Sequence, residues 1–300
     1  MTKNIRNSIP EENTRCFTSH MGLYAMEPNH LVSALGMIQA GIDIELSAAE
    51  VEKRSKTYLE YSVIEGVAIV PITGSLTKRP SKYGGTSTVN ARKIIRDAVS
   101  SKDVESLMLY VDSPGGQVRG TTELADEIRK ASESKEVHAY IDDLGASAAY
   151  WAASQASRIT MNKAGEVGSI GTLMLLYDMS ESYAKDGIKP ILIATGEYKG
   201  LGVPGVEVTE SQIEYLQGKA EYTQKQFLEA VASGRGMSVE NVKKLADGKT
   251  YNSEEALAYG LIDSVSTYED ALAALIGVSQ EDKNTLRLRA ETVQREIDLM

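Results

Sequence analysis

Three glycine-rich segments each follow an apolar run of the sequence, and each contains residues that could do chemistry. Residues 112–116 read Asp-Ser-Pro-Gly-Gly. The adjacent glycines Gly115 and Gly116 allow a sharp turn that directs amide N–H groups into a crevice, the geometry that stabilises an oxyanion. A plain Pro-Gly turn has the same sequence, so this motif alone leaves both interpretations open.

The second segment places Ser147 between an apolar run and small residues that favour a helix. A serine at a helix amino terminus lies beside free N–H groups and the positive end of the helix dipole, and both favour a developing anion. Ser147 is therefore a candidate nucleophile. The alternative is that it only caps the helix, because serine is a common N-cap residue.

A serine nucleophile needs a base, and the histidines of this chain do not supply one. The three histidines are His20, His30 and His138, and none follows Ser147. His138 lies inside an apolar strand pattern, which favours a packed imidazole, and the other two lie near the amino terminus. A lysine is therefore the candidate base.

The third segment, residues 196–202, supplies Lys199 within Gly-Glu-Tyr-Lys-Gly-Leu-Gly. A lysine with its ordinary pKa of about 10.4 is protonated at neutral pH and cannot accept a proton. Desolvation in a closed site would have to lower that pKa, so Lys199 must be buried to act as a base. The alternative is a solvated lysine in a glycine loop.

Composition excludes several classes of protein. The 300 residues include 32 Lys and Arg against 42 Asp and Glu, a net charge of -10, with 42% hydrophobic residues. This balance is typical of a folded chain and argues against a nucleic-acid partner, which requires clustered basic residues. The single cysteine, Cys16, rules out an internal disulfide and cysteine-based metal sites. We expect no cofactor, no metal and, because no apolar run approaches about 18 residues, no membrane anchor.

The elements that must position these segments begin near residue 60 and alternate between strand and helix patterns. Near-continuous apolar strands are typical of a parallel sheet that helices cover on both faces. We therefore predict an α/β fold with a mostly parallel sheet. Strands are predicted at residues 61–64, 67–72, 106–112, 137–141, 158–161, 172–177 and 189–194. Helices are predicted at residues 88–100, 118–132, 238–247, 253–259 and 267–276. Three further helices are predicted, of which one begins near residue 147, one ends at residue 185 and one begins at residue 209.

Three segments lie outside this alternation. Residues 1–59 are predicted to form a polar arm and a helical appendage, and the aperiodic residues 73–87 a long exposed loop. Residues 279–300 are predicted to form an amphipathic helical tail, either as a short heptad seam or as a frayed helix. Its apolar positions are Leu286, Ala290, Val293, Ile297 and Met300.

Taken in order, four motifs resemble those of the signal peptide peptidase A family of serine–lysine peptidases. They are Tyr-Val-Asp-Ser-Pro-Gly-Gly at 110–116, Gly-Ala-Ser-Ala-Ala-Tyr-Trp at 145–151, Gly-Ser-Ile-Gly at 168–171 and Gly-Glu-Tyr-Lys-Gly at 196–200. The resemblance extends over about residues 60–275 and assigns residues 60–278 to a peptidase domain. It implies the fold shared by ClpP proteases and crotonases, in which repeated ββα units build a spiral core.

The resemblance also implies a role for each motif residue. Ser147 matches the nucleophile, Lys199 the general base, and Ser169 the serine that hydrogen-bonds and orients the lysine. The two alanines after Ser147 replace a Gly-Gly pair that is frequent in the family, and they keep the site small. The amides that match the oxyanion hole are those of Gly115, Gly116 and Ala148.

The amino-terminal segment, with Tyr-Ala-Met-Glu-Pro at residues 24–28, resembles the bacteriophage branch of the family, the capsid assembly or prohead proteases. That branch implies action on capsid, portal or scaffold proteins, and on the protease itself, inside a prohead in the bacterial cytoplasm. The family implies a homo-oligomeric ring in which neighbouring protomers complete the active sites. Residues 73–87 would then line the ring mouth, and the tail would bind scaffold protein.

Three other interpretations stay open. The chain could be a signal-peptide-peptidase-like protease that degrades peptides in the bacterial cytoplasm. It could be a crotonase-like acyl-CoA enzyme, which would hold a thioester enolate with backbone amides and would need neither Ser147 nor Lys199. It could also be an assembly factor that keeps the fold without catalysis.

Overall fold

The structure is a computed structural model that describes residues 23–26, 30, 61–81, 84–277 and 283–298. Most of the appendage predicted within residues 1–59, with Cys16, lies outside the described residues. The strands are β1 (Leu23–Met26), β2 (Ser62–Ile64), β3 (Val67–Thr73), β4 (Ser106–Ser113), β5 (Gly115–Gln117), β6 (Glu136–Ala146), β7 (Arg158–Met161), β8 (Glu166–Gly168), β9 (Leu173–Met174), β10 (Thr250–Asn252) and β11 (Ser264–Val265). The helices are α1 (Thr88–Ser100), α2 (Thr121–Ser132), α3 (Ala148–Ala153), α4 (Ser180–Lys185), α5 (Glu210–Arg235), α6 (Val239–Lys244), α7 (Ser253–Ala258), α8 (Tyr268–Ile276) and α9 (Lys283–Asp298), with a 3-10 helix at Glu197–Gly200.

A mostly parallel sheet forms the centre of the fold. Its strand order is β10-β8-β6-β4-β3-β2, and β7 and β11 extend it beside the first half of β6. The central strands pair in parallel, whereas β2 and β10 pair antiparallel with their neighbours. In chain order, β2-β3-α1 and β4-β5-α2 repeat a ββα unit. The predicted α/β fold is confirmed.

Alternate residues of β4 serve two hydrophobic cores. Leu107, Leu109 and Val111 belong to the larger core, to which α1, α2 and α3 contribute. Met108 and Tyr110 belong to a smaller core on the other face of the sheet, under α8 and α9. This burial on both faces explains why β4 is apolar throughout instead of alternating.

Helix α9 covers the second face of the sheet, which corrects both interpretations of the tail. Ala290 and Ile297 are buried in the smaller core, and Val293 packs against it. Gln294 Nε2 donates a hydrogen bond to Tyr110 OH at 2.6 Å. Over residues 289–297, whose side chains are described, the apolar repeat is therefore used within the chain, neither frayed nor open to a scaffold protein.

Residues 189–194 form no strand, although the structure describes all of them. Ile191 and Ile193 are 81% and 92% exposed. A strand requires a neighbouring backbone to pair with, and these residues join neither sheet. The apolar side chains that led to the strand prediction are therefore exposed to solvent in a single chain.

The predicted exposed loop at residues 73–87 is in part a structural support. Leu76 is fully buried and forms a β-bridge to Gly116. Leu76 N–H donates to Gly115 O at 2.8 Å, and Gln117 N–H donates to Leu76 O at 2.9 Å. The first half of the loop therefore fixes β5, which carries the predicted oxyanion turn.

Helix α5 is fixed to the core near its carboxyl end. The Phe227 ring stacks on Trp151 of α3 with centroids 4.6 Å apart. Arg235 forms a two-pronged ion pair with Asp263, with N–O distances of 2.7 and 3.0 Å. At the other end, Thr209 and Gln212 form a capping box.

Candidate active site

Ser147 occupies a strained turn between β6 and α3. Its φ is 54°, and a positive φ costs a non-glycine residue free energy unless the surroundings enforce it. Ser147 N–H donates to Gly168 O at 2.8 Å, and Trp151 N–H donates to Ser147 O at 2.8 Å. The side chain makes no capping hydrogen bond to α3, so the interpretation of Ser147 as a simple N-cap does not describe the turn.

The structure brings Ser147 and Ser169 into adjacent segments. Ser147 is fully buried, and its Oγ donates to Gly171 O at 3.4 Å. Ser169 is also buried and also has a positive φ, 48°. Its N–H donates to Lys249 O at 2.6 Å. Two strained serines therefore lie at the carboxyl ends of the parallel neighbours β6 and β8, the edge where α/β sheets bind ligands.

The two glycines of the predicted oxyanion turn have different amide environments. Gly115 N–H donates to Ser113 Oγ at 3.2 Å, and the same hydroxyl donates to Gly74 O at 2.6 Å. Gly115 O and Gln117 N–H both bond to Leu76. Because successive residues of a strand direct their amides to opposite sides, Gly116 N–H points to the other edge of β5.

Ala148 begins α3, so its N–H has no acceptor within the helix. A Cβ built on Gly115 would lie 2.9 Å from Ala148 N, so the glycine is what lets β5 approach the start of α3. The Ala148 N–H is thus free of a helical acceptor, whereas the Gly116 N–H faces β1, which pairs with this edge of β5. The amide of Gly115, also predicted as a donor, is bound to Ser113 Oγ in this chain, and Ser113 is a supporting residue that sequence reasoning missed.

Lys199 lies apart from the other predicted residues. It is on the 3-10 helix, its side chain is exposed, and within the described part of the chain no hydrogen bond links it to Ser147 or Ser169. The 3-10 helix is fastened to the start of α5: Ser211 Oγ donates to Glu197 Oε1 at 2.6 Å. The burial that a lysine base requires is therefore not met within one chain.

An exposed apolar surface surrounds Lys199. We call residues 175–208 the apolar segment. Contiguous exposed apolar side chains of this kind mark contact surfaces in soluble proteins. Those of the segment, followed by three on α5, are Leu175, Tyr177, Ile188, Ile191, Leu192, Ile193, Tyr198, Val203, Ile213, Tyr215 and Tyr222.

A second sheet, β5-β1-β9, borders the predicted site. Strand β1 is absent from the sequence predictions, because its four residues, Leu-Tyr-Ala-Met, are too few to show a periodicity. A cavity of about 1200 Å³ opens beside β1, and its lining includes Tyr24, Gln117, Met174 and Tyr215. The cavity therefore borders β5 at Gln117, the residue directly after the predicted oxyanion turn.

His138 is a packed residue, as predicted. Its Nε2 lies 2.7 Å from Thr160 Oγ1. Burial, with a smaller contribution from the Arg158 charge, lowers the pKa of His138 to about 4. The imidazole is therefore neutral at physiological pH and is bound inside the sheet.

The carboxylates at the sheet edge repel one another. Burial first, and then the charges of Asp143 and Asp142, raise the pKa of the Asp112 carboxyl.

Among the described residues, no group of three or more His, Cys, Asp or Glu side chains could hold a metal ion. No helix in the same part of the chain is long and apolar enough to span a bilayer.

Comparison with known proteins places these features in context. Residues 129–280 match the sequence profile of Peptidase family S49. A protein of Methanocaldococcus jannaschii whose name describes it as a protease is 37% identical over 61% of this chain and 58% of its own length. Capsid assembly protease C of Escherichia phage lambda is 30% identical over 77% of this chain and 54% of its own length. The chain thus spans little more than half of these relatives. A ClpP1 mutant from Listeria monocytogenes aligns over 74% of this chain and 98% of its own, with 15% identity and a TM-score of 0.45.

Proposed function

Because the chain belongs to peptidase family S49, we propose that it is a serine endopeptidase with Ser147 as nucleophile and Lys199 as general base. The observation that carries the proposal is the buried, strained Ser147 turn at the start of α3, where the Ala148 N–H has no helical acceptor and the Gly116 N–H faces the edge of β5 on which β1 lies. A nucleophile beside two preorganised donors is the arrangement that acyl transfer requires.

The proposed reaction proceeds in two steps. Neutral Lys199 takes the Ser147 proton while Oγ attacks a peptide carbonyl, and the Gly116 and Ala148 amides bind the oxyanion. Lysine then gives that proton to the leaving amine, which departs and leaves an acyl-serine. Water, deprotonated by the lysine, hydrolyses the ester and restores Ser147. Ser169 orients the lysine by a hydrogen bond.

We propose that Lys199 reaches the Ser147 of a neighbouring copy in a homo-oligomeric ring. The support is that Lys199 is exposed in one chain and stands within the apolar segment. Association of copies would bury that surface, and burial is what lowers the pKa of a lysine enough for it to act as a base. The ring is thus the state in which the site is complete.

For the substrate, we propose capsid, portal or scaffold proteins of a phage head, and the protease itself. The support comes from two relatives: the lambda capsid assembly protease, and the head-tail preconnector protein GP5 of Enterobacteria phage P21, which is 28% identical over 72% of this chain. The reaction would take place in a prohead within the bacterial cytoplasm. The alternative is general peptide degradation, because Protease 4 of Salmonella typhi is 27% identical over 77% of the chain.

Intact mass spectrometry of co-expressed proteins tests the proposal. Wild type, S147A and K199A are each expressed with phage capsid and scaffold proteins, and with an unfolded model protein. We expect wild type to cleave, and both variants to lose about three orders of magnitude in rate or more. The matched controls are S134A and K102A, exposed residues outside the predicted site and outside the apolar segment, which should cleave like wild type. Equal cleavage by S147A, or none by wild type, would contradict the proposal.

A further inference from the structure

Strand β1 lies in the cleft between β5 and β9. It pairs antiparallel with both: Tyr24, Ala25 and Met26 are opposite Gln117, Gly116 and Gly115, and the first half of β1 is opposite Met174 and Leu173. Ala25 is fully buried and Met26 is 7% exposed. The chain's own segment therefore fills the cleft as its middle strand.

The direction of β1 is that of the acyl side of a bound substrate. Its carboxyl end lies at Gly115, next to the start of α3, so the chain runs toward the nucleophile turn. Antiparallel addition to two flanking strands is also the way in which proteins bind extended peptides, through main-chain hydrogen bonds.

The register places the Ala25 carbonyl beside the proposed oxyanion donors. Val118 N–H donates to Leu23 O at 3.2 Å, so by the alternation of antiparallel pairs Ala25 and Gly116 form a hydrogen-bonded pair. A Cβ built on Gly115 would lie 2.4 Å from Ala25 O and 2.9 Å from Ala148 N. By this pairing the oxygen of Ala25 accepts from the Gly116 N–H, and it lies close to the start of α3.

We propose that β1 is a resident peptide of the substrate cleft, held in cis, with the Ala25 carbonyl in the place of the carbonyl to be attacked. A substrate strand needs the same edges of β5 and β9, so it binds only after β1 leaves. A tethered strand competes at an effective concentration in the millimolar range. This inference rests on the proposed function for the identity of the competing ligand.

A reversible cross-link tests whether β1 excludes substrate. Tyr24 and Gln117 are a non-hydrogen-bonded pair, for which the Cα atoms lie about 4.5 Å apart, within the range of a disulfide. The double variant Y24C/Q117C is made in a C16S background, so that no other thiol is present. Oxidation should slow cleavage of an unfolded protein about ten-fold or more, and reduction should restore it.

The single variants Y24C and Q117C, treated with the same oxidant, are the controls and should show no such change. A cross-link confirmed by mass with an unaltered rate would overturn the inference. Because the reduced and oxidised forms are the same protein, misfolding of the variant cannot imitate the effect.

A peptide-binding measurement distinguishes a failure of this inference from a failure of the proposed function. The S147A form of the double variant is titrated with a fluorescent extended peptide, followed by anisotropy. We expect binding when the disulfide is reduced and at least ten-fold weaker binding when it is oxidised. Equal binding in both forms would refute the resident strand even if the enzyme is active. Reduced protein that binds peptide but cleaves nothing would instead refute the proposed function.

A second variant loosens β1 instead of locking it. Proline at Ala25 removes the N–H that pairs with β5 and disfavours a strand interior. We expect A25P to lower the KM for a peptide substrate several-fold while kcat stays unchanged, because a competitor is removed and the chemistry is not altered. An A25P enzyme with the wild-type KM would count against the inference.

Discussion

Gly116 is a residue at which the neighbouring backbone leaves little room for a side chain. A Cβ there would lie 2.0 Å from Leu76 O and 2.6 Å from Leu76 N, and both are backbone atoms that cannot move aside. We expect G116A to lower the free energy of unfolding by about 1–3 kcal/mol and to abolish cleavage, because β5 must shift. Urea unfolding and the cleavage assay measure the two effects.

G218A is the control, since a Cβ on Gly218 of α5 would meet nothing within 4 Å. It should raise stability by about 0.5–1 kcal/mol, the usual gain of alanine over glycine in a helix. A G116A protein as stable as wild type would show that the loop at residues 73–87 does not fix β5.

His138 makes stability depend on pH. Its pKa is lowered to about 4 in the folded chain from about 6.5 in the unfolded chain, so the unfolded state binds the proton more tightly. The stability that neutral His138 contributes is therefore fully present above pH 6.5 and is lost as pH falls toward 4. The free energy of unfolding falls by roughly 3 kcal/mol in total over this range. Urea unfolding of wild type and H138Q across this range checks it. A difference between the two proteins that does not change with pH would contradict the assignment.

At the scale of elements, α9 should contribute strongly to stability. Ile297 is 6% exposed in the smaller core. We expect I297A to lower the free energy of unfolding by about 2–4 kcal/mol. The neighbouring exposed residue gives the control E296A, which should change it by less than about 0.5 kcal/mol. Equal stability of both variants would show that α9 does not dock on the sheet.

Sequence reasoning predicted the elements whose signals are local. The apolar run at residues 106–112 became β4. It failed where pairing partners are distant in the chain. β1 is a strand because β5 and β9 flank it, and residues 189–194 are not a strand because no backbone among the described residues pairs with them. Ser147, Ser169 and the Gly115–Gly116 turn lie together because parallel strands end at one edge of the sheet. Lys199 does not follow such a strand, and its position depends on the contact of the 3-10 helix with α5.

At the scale of the whole molecule, the proposed ring predicts complementation. By the proposed mechanism we expect S147A and K199A each to be inactive alone, but if a site takes its serine and lysine from different copies, a mixed ring contains intact sites. Random co-assembly should restore about a quarter of the wild-type rate, because half of the copies keep each residue and the interface joins neighbours head to tail. Rates of co-expressed and separately expressed variants check this. No recovery in mixed oligomers would place both residues in one chain.

The anchorage of α5 also has a mechanical consequence. The helix has 26 residues and is therefore about 39 Å long. The Arg235–Asp263 ion pair holds its carboxyl end. The Ser211–Glu197 hydrogen bond, which attaches the 3-10 helix that contains Lys199, is at its amino end. A rotation of the helix by about 5° about the ion pair would move its amino end by about 3 Å, which equals the donor–acceptor distance of a hydrogen bond. If Lys199 is the base, as proposed, its alignment with a serine thus depends on how α5 is held at an ion pair far from the reacting atoms.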